Sequence, residues 1–258
     1  MPATEEVPGD FYRQSMRVLE SAGVPFLVGG AYAFAFYTGI ARDTKDFDLF
    51  LRPSDVDRAL VALQRAGYGT EKTYPHWLAK VRSGADLIDL IFRAGNGLCG
   101  VDDLWFARAE RAELLGNTVQ LCPREEIVWM KAFIMERERY DGADVAHLLQ
   151  SCAEHLDWEH LLDRFGPDWE VLLSHLVLFG YVYPSERSRI PKYIIEELVE
   201  QLRTEPEQRR HRICRGTLLS RAQYLVDVKE RGFRDARLDS RVEMGPAEIR
   251  EWTNAIGE

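Results

Sequence analysis

Phe26-Leu27-Val28-Gly29-Gly30, followed at a distance by Arg42-Asp43-Thr44-Lys45-Asp46-Phe47-Asp48-Leu49-Phe50-Leu51, is the stretch on which the reading of this chain turns. Val24 to Val28 is apolar and closes on a glycine pair, which predicts a buried strand and a turn. Ala31 to Thr38 then has the character of a short apolar helix, with Gly39 placed to end it. Phe47 to Leu51 is a second strand. Alternate residues of a strand point to opposite faces. Asp46, Asp48 and Phe50 therefore share one face, and Phe47, Leu49 and Leu51 share the other. The apolar set packs beneath covering helices; the carboxylates stand on the open face of the sheet.

The same alternation appears downstream. His76 to Arg82 sets Trp77, Ala79 and Val81 against His76, Leu78, Lys80 and Arg82, and Ser83-Gly84 supplies a tight turn. Asp86 to Phe92 returns as a strongly apolar strand, with Leu87, Asp89 and Ile91 on one face and Ile88, Leu90 and Phe92 on the other. A charge inside such a run is costly unless it is paired or coordinates a metal, which singles out Asp89. Asp86, at the strand start and on the opposite face, reads as solvated. Asp46-x-Asp48 taken alone is a common pattern and reads first as a solvated strand end.

Outward from this core, Asp10 is placed to cap a first helix carrying Tyr12, Met16 and Leu19. Ser54 is placed to cap a helix with Val56, Leu60 and Leu63 inward, ending at Gly67. From Pro123 onward strand signals cease. Ile127, Met130 and Ile134 mark one helix, and Val145, Leu148, Leu149 and Cys152 another beginning near Asp141. Asp157, Pro167 and Pro191 start further helical stretches, and Gly216 to Val228 reads as a last one. The fold class is α+β: a small mixed β-sheet with helices on one face over residues 1–121, followed by an all-helical C-terminal domain over residues 122–258.

Composition narrows the function classes. The chain has 258 residues and a formal net charge of -9, so it is not a protein that coats nucleic acid by charge alone. Its cysteines are Cys99, Cys122, Cys152 and Cys214, too widely spaced for a C-x-x-C pair, and they read as buried thiols of a reduced, cytoplasmic protein. Ser21 to Ala41 carries no charge and has the length of a membrane span, but Pro25 and the glycine pair break it, so no membrane association is expected. The histidines His147, His155, His160 and His175 do not fall at metal-ligand spacing. Arg209-Arg210-His211-Arg212, with Arg215 and Arg221, is the densest positive region and reads first as a solvated helix face.

Val28-Gly29-Gly30, Arg42-x-Thr44-x-Asp46-Phe47-Asp48-Leu49 and Ile88-Asp89-Leu90 together resemble the nucleotidyltransferase superfamily with the DNA-polymerase-β-like fold. In that pattern a glycine pair, a helix, two aspartates on one strand and a third carboxylate on a later strand recur. The Gly30-to-Asp46 gap is slightly long for it, which places an extra turn at Gly39 to Lys45. Pro123-x-Glu125-Glu126-x-x-x-x-Lys131, with Arg137, Arg139, Asp141 and Asp144, resembles a segment of the abortive-infection toxin-like branch, although a snorkelling lysine and a helix-start aspartate explain Lys131 and Asp144 equally well by themselves.

The resemblance implies transfer of a nucleoside monophosphate from an NTP to an acceptor hydroxyl, with release of pyrophosphate. It implies Asp46, Asp48 and Asp89 as catalytic carboxylates holding Mg²⁺ or Mn²⁺. Gly29, Gly30, Arg42, Thr44, Lys131 and Asp144 are implied as nucleotide-binding residues. The partners expected are an NTP, an acceptor that is a small molecule, a tRNA or a protein, and an antitoxin. The alternative is a non-catalytic nucleotide-binding or regulatory module that has kept the fold.

Overall fold

The computed structural model describes residues 9–204 and 212–255. The chain forms two compact units, one of residues 1–95 and 100–123, the other of residues 96–99 and 124–258. The short excursion at 96–99 has no counterpart in the sequence-based boundary.

In the first unit the elements run α1 (Asp10–Ser21), β1 (Leu27–Val28), α2 (Gly30–Thr38), β2 (Asp46–Phe50), α3 (Val56–Arg65), β3 (Gly69–Tyr74), β4 (Leu78–Ser83), β5 (Asp86–Ile91), α4 (Asp103–Ala107), β6 (Glu110–Leu114) and β7 (Asn117–Leu121). The strands make one mixed sheet in the order β3-β4-β5-β2-β1-β7-β6. β2 is central, parallel to β5 and antiparallel to β1, with Asp48 directly opposite Asp89. Ser21 to Ala41, whose apolarity raised the question of a membrane span, is accounted for by β1 and α2. Among the described residues no helix is long and apolar enough to cross a membrane.

Burial follows the alternation read from sequence. Phe47 and Leu49 are fully buried while Asp46 and Asp48 are half-buried. Each such apolar side chain withdrawn from water contributes about 1.5–3 kcal/mol, and this fixes which face of β2 turns inward. Phe47 stacks on Tyr12 of α1 at 4.9 Å and meets Tyr32 of α2 edge-on at 5.2 Å, so α1 and α2 cover that face. On the carboxylate face, Trp105 of α4 stacks over Phe50 at 5.6 Å and closes one end.

Several local expectations are corrected. Asp10 lies inside α1 rather than capping it: Gly9 is the cap residue, and the Asp10 carboxylate pairs with Arg13. Ser54 falls in a short 3-10 turn, and α3 starts after Asp55 without a side-chain cap. The hairpin turn is Gly84-Ala85, one residue later than expected, with Gly84 at φ +58. Strands β3, β6 and β7 were not anticipated.

The second unit contains α5 (Arg124–Ala132), α6 (Gly142–Cys152), α7 (Trp158–Phe165), α8 (Trp169–Val182), α9 (Lys192–Thr204), β8 (Ile213–Cys214), α10 (Leu225–Lys229), β9 (Arg234–Asp235) and α11 (Pro246–Asn254). It is helical but not wholly so, because β8 and β9 pair in parallel. The helix expected over 216–228 is instead a 3-10 turn followed by the short α10. Its core is Val128, Leu148, Leu149, Leu161, Phe165, Leu172, Phe179 and Leu198. Residues 96–99 belong here through Gly97, whose carbonyl accepts from the Glu243 N–H, and Asn96, whose amide donates to the Leu218 carbonyl. Arg209, Arg210 and His211 of the basic patch lie outside the described residues.

Candidate functional site

Gly29 and Gly30 earn their place through packing with the carboxylate strand. The Gly29 N–H donates to the Asp48 carbonyl at 3.0 Å, which ties the start of α2 to β2. A Cβ on Gly29 would run into the Phe50 ring and lie 3.1 Å from Cys122 Sγ. Gly30 has φ +54, and a Cβ there would lie 2.6 Å from Asp48 Cγ and 2.9 Å from Asp48 Cβ. The Asp48 carboxylate thus occupies the space that any other residue at position 30 would fill. It sits at the amino-terminal end of α2, where the helix dipole favours negative charge.

Asp46 is held differently. Thr44 Oγ1 donates to Asp46 Oδ1 at 2.6 Å, and the same hydroxyl lies 3.0 Å from the Asp46 carbonyl. Thr44 therefore orients a carboxylate of the site. Arg42 places its guanidinium over the Phe34 ring of α2, 4.4 Å from the centroid.

Asp89 stands beside Asp48 on β5, and on its other side β4 sets Lys80 directly opposite. The Lys80 ammonium lies 3.4 Å from Asp89 Oδ1 as an ion pair, and that buried oxygen has no hydrogen-bond partner among the described residues. Burial pushes the Asp89 carboxyl above its ordinary range; Lys80 and, more weakly, Arg82 pull the other way, while the negative charge of Asp46 adds to the rise.

The structure thus brings Asp46, Asp48, Asp89, Gly29, Gly30 and Thr44 together around β2. Among the described residues no group of three or more His, Cys, Asp or Glu side chains forms a ready-made metal cage. The donors on this face are hard carboxylate oxygens, one of them buried and unsatisfied. Mg²⁺ characteristically takes one or two protein carboxylates and completes its shell with water and substrate phosphates. An open set of this kind fits such an ion.

Lys131 and Asp144 are paired with each other in the second unit. The Lys131 ammonium lies 2.7 Å from Asp141 and 2.8 Å from Asp144. Arg139 donates two 3.0 Å hydrogen bonds to the Asp141 carboxylate. Burial raises the proton affinity of Asp141, but Arg139 and Lys131 outweigh it and hold the carboxyl below its ordinary range. A second ionic cluster went unnoticed in the sequence. Glu126, fully buried, accepts from Arg164 at 2.9 Å and sits 2.8 Å from His160 Nε2. Sequence alone could not join partners 34 and 38 positions apart. Lys80 and Arg82 were also missed as site neighbours, although their alternation with Val81 was visible.

The fold is of the nucleotidyltransferase class. The chain belongs to the family described as "uncharacterised nucleotidyltransferase", whose model matches residues 13–167, more than half of its length. Three solved structures illustrate the likeness. The antibiotic-resistance factor ANT(2'')-Ia has 16% identity over 64% of this chain and 94% of its own, with a TM-score of 0.43. The lincosamide antibiotic adenylyltransferase LnuA, solved with lincomycin bound, has 12% identity over 56% of this chain and 98% of its own, with a TM-score of 0.40. An antigenic nucleotidyltransferase-like protein from Paracoccidioides brasiliensis has 15% identity over 69% of this chain and 90% of its own, with a TM-score of 0.43. The comparison with curated proteins gives no match.

Proposed function

We propose that the chain moves a nucleoside monophosphate from an NTP to an acceptor hydroxyl at the face formed by Asp46, Asp48 and Asp89. The observation that carries this reading is the register of β2 on β5, which sets Asp48 against Asp89, with Gly30 left bare of a side chain beside Asp48. In the step proposed, the acceptor oxygen bonds to the α-phosphorus and the bond from that phosphorus to the β-phosphate oxygen breaks. Pyrophosphate leaves. The hydroxyl proton passes to the Asp89 carboxylate, whose burial gives it a greater proton affinity than a solvated aspartate.

Asp46 and Asp48 would hold Mg²⁺ or Mn²⁺, and such an ion supplies charge neutralisation and alignment of the phosphates. Thr44 fixes the direction of the Asp46 carboxylate. The amino-terminal turn of α2, at Gly29 and Gly30 beside the Asp48 carboxylate, is proposed as the flank where phosphates approach backbone N–H groups. Arg42 is proposed as a phosphate contact. Lys131 and Asp144, paired with each other in the second unit, are proposed as nucleotide-binding residues on the resemblance alone.

The test is NTP binding in the presence of Mg²⁺, followed by pyrophosphate release in a crude extract, for wild type and Asp48→Ala. The reading requires binding and release by wild type and their loss in the variant. Equal release by both removes the assignment.

A further inference from the structure

The carboxylate face does not end at Asp89. Directly opposed residues of an antiparallel pair point to the same face, and β4 is registered on β5 with Lys80 against Asp89 and Arg82 against Leu87. Leu87 is in turn opposite Asp46 on β2. Across the sheet the face therefore reads Asp46 and Asp48, then Asp89, then Lys80 and Arg82, and β3 closes it with Glu71 opposite Lys80. Lys80 is partly neutralised by Asp89, whereas Arg82 is exposed and acts on Asp89 through its charge. Two cations thus stand one strand beyond the third carboxylate, on the flank away from Gly30 and α2.

We infer that Lys80 and Arg82 form the acceptor subsite, and that the acceptor carries a phosphate close to its reacting hydroxyl. The inference rests on the reading above, in which the triphosphate lies on the α2 flank and Asp89 receives the hydroxyl proton. With the hydroxyl at Asp89, the next group of the acceptor falls over β4, about 4.8 Å further across the sheet. A phosphate placed there meets the Arg82 guanidinium, whose planar donors suit bidentate phosphate recognition, with Lys80 beside it. A polycationic acceptor would have to approach against both charges. A phosphorylated sugar and the terminal nucleotide of an RNA share the required chemistry, a hydroxyl with a phosphate nearby.

The experiment uses the full chain with Mg²⁺ and each of the four α,β-methylene nucleoside triphosphates, which cannot transfer. Calorimetric titration then compares ribose 5-phosphate, ribose, kanamycin and a short single-stranded RNA. It is repeated on Arg82→Gln and on Lys72→Gln, which removes the same charge where it pairs with Asp57 instead. The melting curve of each variant confirms that it is folded.

The inference predicts that at least one phosphate-bearing probe binds more tightly than ribose. Arg82→Gln should weaken that probe about tenfold or more, as expected for one charge-assisted hydrogen bond, and Lys72→Gln should leave it unchanged. If RNA is the better probe, Arg82→Gln should also lower the slope of log affinity against log salt by about one. A response confined to ribose 5-phosphate identifies a small phosphorylated acceptor; a response confined to RNA identifies a nucleic-acid end.

Phosphate-bearing probes that bind no better than ribose overturn the inference, as do equal effects of Arg82→Gln and Lys72→Gln, or kanamycin binding to wild type more tightly than either phosphate-bearing probe. Failure of wild type to bind any triphosphate analogue is a separate outcome: it removes the nucleotidyltransferase reading, and with it the basis for an acceptor subsite.

Discussion

Replacing Gly30 by alanine separates two consequences that a glycine substitution usually mixes. The backbone there has φ +54, a conformation that costs an L-residue about 1–2 kcal/mol. The new Cβ would also stand 2.6 Å from Asp48 Cγ, so the carboxylate must leave its position, and a side chain pushed off its rotamer costs about 0.5–1.5 kcal/mol. The combined destabilisation is about 1.5–3.5 kcal/mol, which leaves a domain of ordinary stability folded. For a unit of this size it lowers the melting temperature by about 5–17 °C. Catalysis suffers far more, because moving a reacting group by about 1 Å costs about a hundredfold.

Gly39→Ala is the control. Its φ is +72 but nothing lies within 4 Å of the added carbon, so it carries the backbone cost without touching a carboxylate. Differential scanning fluorimetry and pyrophosphate release measured on both variants decide the matter. Gly30→Ala should fold and be nearly inactive, and Gly39→Ala should melt lower yet release pyrophosphate at close to the wild-type rate. Wild-type turnover by Gly30→Ala would refute the placement of Asp48 in the reacting centre.

Other expectations follow from the same contacts. Thr44→Val removes the hydroxyl that holds Asp46 Oδ1; pyrophosphate release should fall about fivefold with little change in melting temperature, the loss of roughly 1 kcal/mol of orientation. Glu126→Gln leaves Arg164 without its buried counter-charge and His160 without its carboxylate partner, and chemical denaturation should show a loss of about 3–5 kcal/mol. Asp141 has a folded-state proton affinity below its unfolded one, so its contribution is complete above the unfolded value of about 4 and is lost as pH falls through the lower, folded value. Melting temperatures followed from pH 7 downward should therefore fall in the acid range, and Lys131→Met should melt lower at pH 7 and show a shallower acid decline; an unchanged profile contradicts the pairing.

The parts of the fold that were legible in the sequence are those set by alternation. β2 and β5 each place apolar residues at every second position, so the facing of Asp46, Asp48 and Asp89 could be read before any pairing was known. Once the turn is placed at Gly84-Ala85, hairpin arithmetic puts Lys80 opposite Asp89, and only the one-residue misplacement of that turn hid it. β6 and β7 were hidden for a different reason. Glu110 to Leu114 is made of helix formers, and the turn between the strands uses Leu115 at φ 52 before Gly116, in place of the usual Asn-Gly or Asp-Gly signal. What makes this segment a strand pair is the contact of Leu121 with Val28 of β1, a partner distant in sequence. β3 is polar and lies at the edge of the sheet, so it carries little periodic signal. The Thr44 contact and the pairing of Lys131 with two aspartates depend on side-chain geometry that spacing does not reveal.

The central claim is that the face of Asp46, Asp48 and Asp89 transfers a nucleotidyl group. The most direct measurement incubates the protein with Mg²⁺, a cell extract and each NTP labelled either at the α- or at the γ-phosphorus, and asks which label becomes attached to acceptor. The account predicts attachment of the α label alone by wild type, and none by folded Asp48→Asn. Attachment of the γ label, or undiminished transfer by Asp48→Asn, would contradict it.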